Sequence, residues 1–174
     1  MIHAAKNKAA LHSKNSIADA LFRLMQRKPF AKITVTEICE EAAVGRKTFY
    51  RNFDLREDVI DFRLDMLCEQ YRQEMCVMDI NALLYYHFTF VKNHADAFIS
   101  LYQNGLRELS YQHFSVLLPQ TMPIWSTDPV EQAYHSAYII AGIEAIQRVW
   151  VERGFSESTE DVIAYITKLH TAIK

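Results

Sequence analysis

The chain has little glycine and proline, four of each in 174 residues, against roughly 12% for the pair in average usage. Gly/Ser linkers and runs of tight hairpins are thereby excluded, and the few breakers fall mostly between stretches of helical periodicity. Cysteine is scarce as well. Cys39, Cys68 and Cys76 form an odd set without C-x-x-C spacing, so neither a disulfide framework nor a zinc knuckle is indicated, and small core residues are the simplest reading. The longest apolar run, Ala137 to Ile143, is far short of the roughly 20 residues that cross a bilayer. There is no apolar leader segment either, and a cytoplasmic protein without a membrane partner is expected. Catalytic signatures are missing too: no P-loop, G-x-S-x-G, H-E-x-x-H or dinucleotide fingerprint occurs. His87 and His94 lie seven apart without a nearby carboxylate pair, so no catalytic residue, metal site or cofactor is expected.

What is present is the composition of an ordered, all-α globular protein. Hydrophobic residues make up 50% and charged residues 23%, and the length suits one domain or two small ones. The net charge of −2 hides an asymmetry. Residues 1–60 carry 11 basic against 7 acidic side chains, a balance of +4, and the remainder carries 8 against 14, a balance of −6. A basic front on an acidic body fits a DNA-reading domain joined to a domain of another kind.

Helical spacing and caps predict the order of elements. Ile17, Ala20, Leu21, Leu24 and Met25 lie on one face of a helix from Ser13 to Lys28, stopped by Pro29, with residues 1–12 as a tail. Thr34 and Glu37 have capping-box spacing ahead of a second helix that runs to about Ala43. Val44-Gly45 makes a turn, Arg46 to Phe53 is a short third helix, and Asp54 with Glu57 reads as a second capping box opening a long fourth helix to about Val77. Further helices are expected over Asn81 to Asn93, Ala95 to Asn104 and Leu106 to Leu118. Asp128 and Pro129 then start a helix ending at Gly154, and a last helix runs from Ser158 to Ile173. This divides the chain into the tail, a helix-turn-helix domain over 13–60 and a helical domain over 61–174.

The stretch Thr34 to Arg56 carries the most information. A capped helix, a short turn and a short basic helix follow one another in the manner of a helix-turn-helix. Ile33, Ile38, Ala42, Val44, Phe49 and Phe53 would pack on Leu21 and Leu24, leaving Arg46, Lys47, Thr48, Tyr50 and Arg51 outside. An arginine at the start of a recognition helix suits guanine, while hydroxyls and cations suit phosphate oxygens.

The run from Ile33 to Ile60, above all Thr48-Phe49-Tyr50, then Phe53 and Arg56-Glu57, resembles the DNA-binding domain of the TetR family. By position, the resemblance implies that Thr36, Arg46, Lys47 and Arg51 face bases, and that Thr34, Thr48, Tyr50, Asn52 and Arg56 face phosphates of double-stranded operator DNA. A cation in the first turn of the fourth helix is unfavourable for its dipole, and a phosphate beside Arg56 would account for it. Three positions depart from the family pattern: Ala43 stands at the usual turn glycine, Gly45 where a hydroxyl residue commonly caps the third helix, and Asn52 where histidine or tyrosine is frequent. Glycine caps less firmly than serine by a few tenths of a kcal/mol.

In the body the resemblance implies a small-molecule effector site, and aromatic and histidine residues crowd there. Tyr71, Tyr86, His87, Phe90, Tyr102, Phe114, Tyr134 and Tyr138 are its candidates, since such side chains put a polar tip on an apolar frame. Ordinary core packing produces the same pattern. Ala137, Ala141, Gly142 and Ala145 keep one side of the penultimate helix small. Together with Ile146, Val149 and Trp150, and with Val162, Ile166, Leu169 and Ile173 of the last helix, they would form a homodimer interface; a buried core helix would look similar. Two half-sites also supply the specificity that one short recognition helix lacks. The rival reading is a helical adaptor that binds protein through its aromatic body and leaves Arg46, Lys47 and Tyr50 without a purpose.

Overall fold

The computed structural model describes residues 2–74, 79–120 and 124–172, with side chains over 9–73, 79–120 and 124–169. These residues form helices without a strand. In order they are α1 (Ile2–Met25), α2 (Val35–Glu41), α3 (Arg46–Asn52), α4 (Glu57–Glu74), α5 (Ile80–Asn93), α6 (Ala95–Gln103), α7 (Arg107–Leu117), α8 (Pro129–Glu152) and α9 (Thr159–Ala172). Short 3-10 turns lie at Phe30–Lys32 and Leu118–Gln120. The chain divides into two compact units, Met1–Leu67 and Cys68–Lys174, with α4 contributing to each.

The first unit is a three-helix head completed by the start of α4. Ile17, Leu21 and Met25 of α1 are buried with Ile33, Ile38, Phe49, Phe53, Val59 and Ile60, the apolar set that helical spacing selected, while Leu24, Ala42 and Val44 are half-buried. Phe49 meets Phe53 with ring centroids 5.9 Å apart, and Phe53 meets Phe62 edge-on at 5.6 Å. At the front, α1 begins at Ile2, so the expected tail is helical from there; its alanines and lysines are good helix formers.

The second unit packs α5 against α9, α6 against α8, and α6 against α7 around Leu83, Phe88, Val91, Phe98, Leu101 and Trp150, all buried. Its helix ends follow local chemistry. Asp79 caps α5 by accepting from the N–H groups of Asn81 and Ala82, and Asp128 caps α8 by accepting from Val130, with Pro129 in the first turn. Gly105 and Gly154, at φ 72° and 67°, end α6 and α8 in Schellman turns, with Leu106 N–H bonded to Leu101 C=O and Phe155 N–H to Trp150 C=O. The Trp150 and Phe155 rings meet at 4.9 Å, the apolar contact that accompanies this motif. Cys39 and Cys68 are buried free thiols. Cys76, Val77 and Ile173, to which expectations were attached, lie outside the described residues.

Candidate nucleic-acid interface

The α2-turn-α3 hairpin is built from its caps. Thr34 Oγ1 accepts from the Glu37 N–H while the Glu37 carboxylate accepts the Thr34 N–H at 2.9 Å, completing the capping box. The hydrogen bonds to Lys28 and Thr34 hold the Glu37 carboxyl at about 2, far below its ordinary value. At the other end of α2, Val44 N–H bonds to Cys39 C=O and Ala43 N–H to Glu40 C=O, a Schellman turn whose left-handed residue is Ala43, at φ 53°. An alanine there carries the steric cost a glycine avoids, about 1 kcal/mol. Gly45 is the N-cap of α3 in extended conformation and gives no side-chain bond. The α3 backbone is closed instead through Thr48 N–H to Gly45 C=O at 2.8 Å.

On α3, Phe49 faces inward and is fully buried, whereas Arg46, Lys47, Tyr50 and Arg51 are exposed. Thr48 and Asn52 are half-buried, and Asn52 Nδ2 donates back to Thr48 C=O at 2.8 Å. Thr36 is exposed on the first turn of α2. Tyr50 stands edge-on to Phe49 at 5.4 Å, with the Arg46 guanidinium 6.0 Å from its ring centre.

The cations of this unit fall into two groups. Arg23 and Arg27 share the Glu41 carboxylate at 2.8 and 2.7 Å, Lys28 pairs with Glu37, Arg63 pairs with Asp19 at 3.1 Å, and Lys14 sits over the Phe53 and Phe62 rings. Among the described residues, Arg46, Lys47 and Arg51 have no acidic partner, and neither has Lys32, exposed just before α2. Sequence reading passed over Lys32 because it lies outside the motif. Three uncompensated cations on one seven-residue helix, with a phenol and a threonine hydroxyl beside them, make a surface suited to a polyanion.

Arg56 stands apart. It precedes α4 rather than lying in its first turn, and its Nη1 donates to the carbonyls of Ile33 at 2.5 Å and Phe30 at 3.0 Å, with Ala31 C=O at 3.4 Å. The start of α4 also differs from the expected Asp54 box. The Asp58 carboxylate reaches back to accept the N–H groups of Asp54 and Leu55 at 2.9 and 2.8 Å; Asp58 is the second residue of α4, and residues 54–56 bend ahead of it.

The body's candidate ligand residues separate into three places. Tyr71 and His87 are buried and joined by a Tyr71 Oη to His87 Nδ1 contact of 3.4 Å; His87 Nε2 meets Gln147 Oε1 at 2.9 Å, and Gln147 Nε2 donates to Tyr102 Oη at 3.0 Å. Burial lowers the His87 pKa to about 4 and raises that of Tyr102 to about 12. Beside this network, His87, Phe114 and Gln147 line a cavity of about 20 Å³ with Ser110, Ile143 and Glu144, room for no more than a water or two. Tyr86 and Phe90 pack on Tyr71, with centroids 4.8 and 5.0 Å away. Tyr134 and Tyr138, by contrast, are 74% and 62% exposed on α8. Gln147 is the residue that sequence reading missed, although it occupies the buried stripe of α8 between Ile143 and Trp150.

The expected interface residues also divide. Trp150 and Ile166 are buried within the chain, since Trp150 packs on Phe88 and Phe155. Ala141, Gly142, Ala145, Val149 and Leu169 are exposed, and Ile146 is half-buried. A Cβ built on Gly142 would meet nothing within 4 Å. Val149, Trp150, Tyr165 and Leu169 border an open groove of about 300 Å³ between α8 and α9. Among the described residues there is no group of three or more potential metal ligands, and no helix long and apolar enough to cross a membrane.

The chain is similar over nearly its whole length to solved helical regulators. The dihydroxyacetone kinase operon activator DhaS shares 20% identity and a TM-score of 0.69, over 92% of this chain and 94% of its own. A TetR transcriptional regulator from Streptococcus agalactiae 2603V shares 17% and a TM-score of 0.70, over 96% and 98%. A tetR-family regulator from Streptomyces coelicolor shares 16% and a TM-score of 0.54, over 86% and 76%. No curated protein matches the chain. Residues 17–61, which hold the α2-turn-α3 hairpin and its exposed cations, match the family described as bacterial regulatory proteins, tetR family.

Proposed function

We propose that this protein is a cytoplasmic transcriptional regulator that reads double-stranded operator DNA with α3 as a homodimer. The carrying observation is that Arg46, Lys47 and Arg51 on α3 lack acidic partners while the other arginines of the head are engaged within it. Arg46 and Lys47, with Thr36 at the start of α2, suit base edges; Arg51, Thr48 and Tyr50 suit phosphates. Thr34 is occupied as the α2 cap and Asn52 by its own helix, so both hold the head in shape more than they read DNA.

Dimerisation is supported by the exposed side of α8 and α9. Ala141, Gly142, Ala145 and Val149 are uncovered at helical spacing, next to Tyr165 and Leu169, and two-fold pairing would bury them against their own copy. Effector control is supported by the buried polar residues against the small cavity, His87 and Gln147 foremost. A small molecule entering there must widen it, and the population of widened protomers is then what it selects. We read the output as repression by operator occupancy. DhaS, of like fold, is named an activator, so transcript level with and without the protein decides the sign.

The test is selection of random duplexes by the purified protein. A recovered near-palindrome with half-sites about 10 bp or a multiple apart is expected. Recovery of no common sequence, together with binding that salt does not weaken, would return the protein to the adaptor reading.

A further inference from the structure

We propose that Arg56 is a positioning residue of the DNA-reading head, a clamp that fixes the link between α1 and α2 to the start of α4. Position in the motif assigned it to phosphate. Its surroundings assign it elsewhere. Nη1 has two N–H groups and two close acceptors, Ile33 C=O at 2.5 Å and Phe30 C=O at 3.0 Å. Nε is 3.2 Å from Glu57 Oε1, and the guanidinium lies 4.5 Å from the centre of the buried Phe30 ring.

Those carbonyls belong to a segment that ends a 3-10 turn and leads directly into Thr34, the cap of α2. Ile33 C=O, just past that turn, takes Arg56 Nη1 as a donor, and Phe30 C=O, which already accepts from Ile33 N–H at 2.9 Å, takes it as a second, from a point 23–26 residues further along the chain. The cation therefore ties three pieces together: the link, the cap on which α2 and α3 depend, and the first residue of α4. Arginine suits this and lysine does not, because the planar fork can stack on Phe30, bond carbonyls with one edge and face Glu57 with another. A lysine would serve a phosphate nearly as well. The consequence for DNA rests on the function proposed above; the clamp itself does not.

The experiment compares Arg56→Lys and Arg56→Gln with the wild type, as full chains shown to be folded by circular dichroism. Amide exchange is read without DNA at Lys32 and Ile33, whose N–H groups bond to Pro29 and Phe30 carbonyls at 2.9 Å each. Binding to the selected operator is then read across a salt series. In both variants exchange is expected to quicken by about tenfold, the loss of one charge-assisted hydrogen bond. Operator affinity should fall by a similar factor with the salt slope unchanged. Three results would each overturn the clamp: unchanged exchange, a lysine variant that binds like the wild type, or a salt slope lower by about 2, one phosphate contact per protomer. If the wild type bound no DNA, the functional reading would fail while the exchange measurements still decided the clamp.

Discussion

The two units leave different chemistry facing outward. In the head most apolar residues are internal, Leu11 and Leu55 being exposed, and most cations are matched to carboxylates, aromatic rings or carbonyls, so the unmatched charge on α3 is concentrated in one place. The body has a buried apolar core as well, but it differs in what else it encloses and leaves out. A polar chain of buried Tyr71, His87 and Gln147 ending at half-buried Tyr102 runs inside it, and side chains such as Tyr134, Tyr138, Val149 and Leu169 are left outside. Uncompensated cations ask for an anion, and uncovered apolar surface asks for protein. The proposed division of labour between DNA and a second copy rests on that contrast.

The most damaging way to break it is at α3. Replacing Arg46, Lys47 and Arg51 together by alanine removes up to six cations from a dimer, and operator affinity should fall by about 1,000-fold or more. Thermal stability should hardly change, since no ion pair is lost. Alanine at Arg23, which shares Glu41 with Arg27, should leave operator affinity near the wild-type value. Fluorescence anisotropy with a labelled operator measures both; equal losses would erase the distinction between matched and unmatched cations.

Within the body, Trp150→Ala and Val149→Asp probe neighbouring positions of opposite burial. Trp150 is 1% exposed and its indole N–H donates to Glu157 C=O at 3.1 Å, so truncation should cost about 3–5 kcal/mol in a denaturant titration. Val149 is half exposed. An aspartate there should leave unfolding nearly unaltered and shift the species seen by analytical ultracentrifugation from dimer to monomer.

Acid sharpens the comparison from a third side. His87 is held neutral, its pKa lowered by burial to about 4, so the unfolded chain binds its proton first. The stability this supplies is complete above about pH 6.5 and is lost as pH falls from there through about 4, on the order of 3 kcal/mol in all. Glu37 in the head has a carboxyl lowered to about 2, and its contribution starts to disappear only below its ordinary value of 4.5. Between pH 6.5 and 5 the body should therefore loosen first, as faster amide exchange around α5 and α8. A His87→Gln variant that kept the same pH dependence in that range would remove the explanation.

How much of this was legible beforehand depends on the reach of each interaction. Thr34 with Glu37, Asp128 with Pro129, and the stops at Gly105 and Gly154 were readable because each partner lies within a few residues. The outward face of α3 was readable because Phe49 and Phe53 define the opposite one. Arg56 was not, since its acceptors are backbone carbonyls far up the chain and any residue type would present them. Nor was the split among the aromatics: Tyr71 and Tyr134 look alike in composition, yet one is enclosed and the other stands in the open. Asp58 displaced the expected Asp54 box because two carboxylates competed for the same turn and the geometry of the turn chose between them.

The smallest effect concerns Ala43, whose left-handed backbone a glycine would relieve. Ala43→Gly should stabilise the head by about 1 kcal/mol, less the extra freedom glycine gains when unfolded. A rise in melting temperature of roughly 2–4 °C would follow at most. A fall would show that this turn is not strained.

The central claim, that the exposed cations of α3 meet phosphate-backed DNA, is tested most directly by the salt dependence of binding to random duplex DNA. Random duplex offers no matched base edges, so Arg46 and Lys47 fall on phosphates together with Arg51, and the account predicts a linear log–log plot whose slope approaches −5 for six neutralised phosphates per dimer, about −0.9 each, and a shallow slope when the three are replaced. A wild-type slope near zero, or one that the replacement leaves untouched, would contradict it.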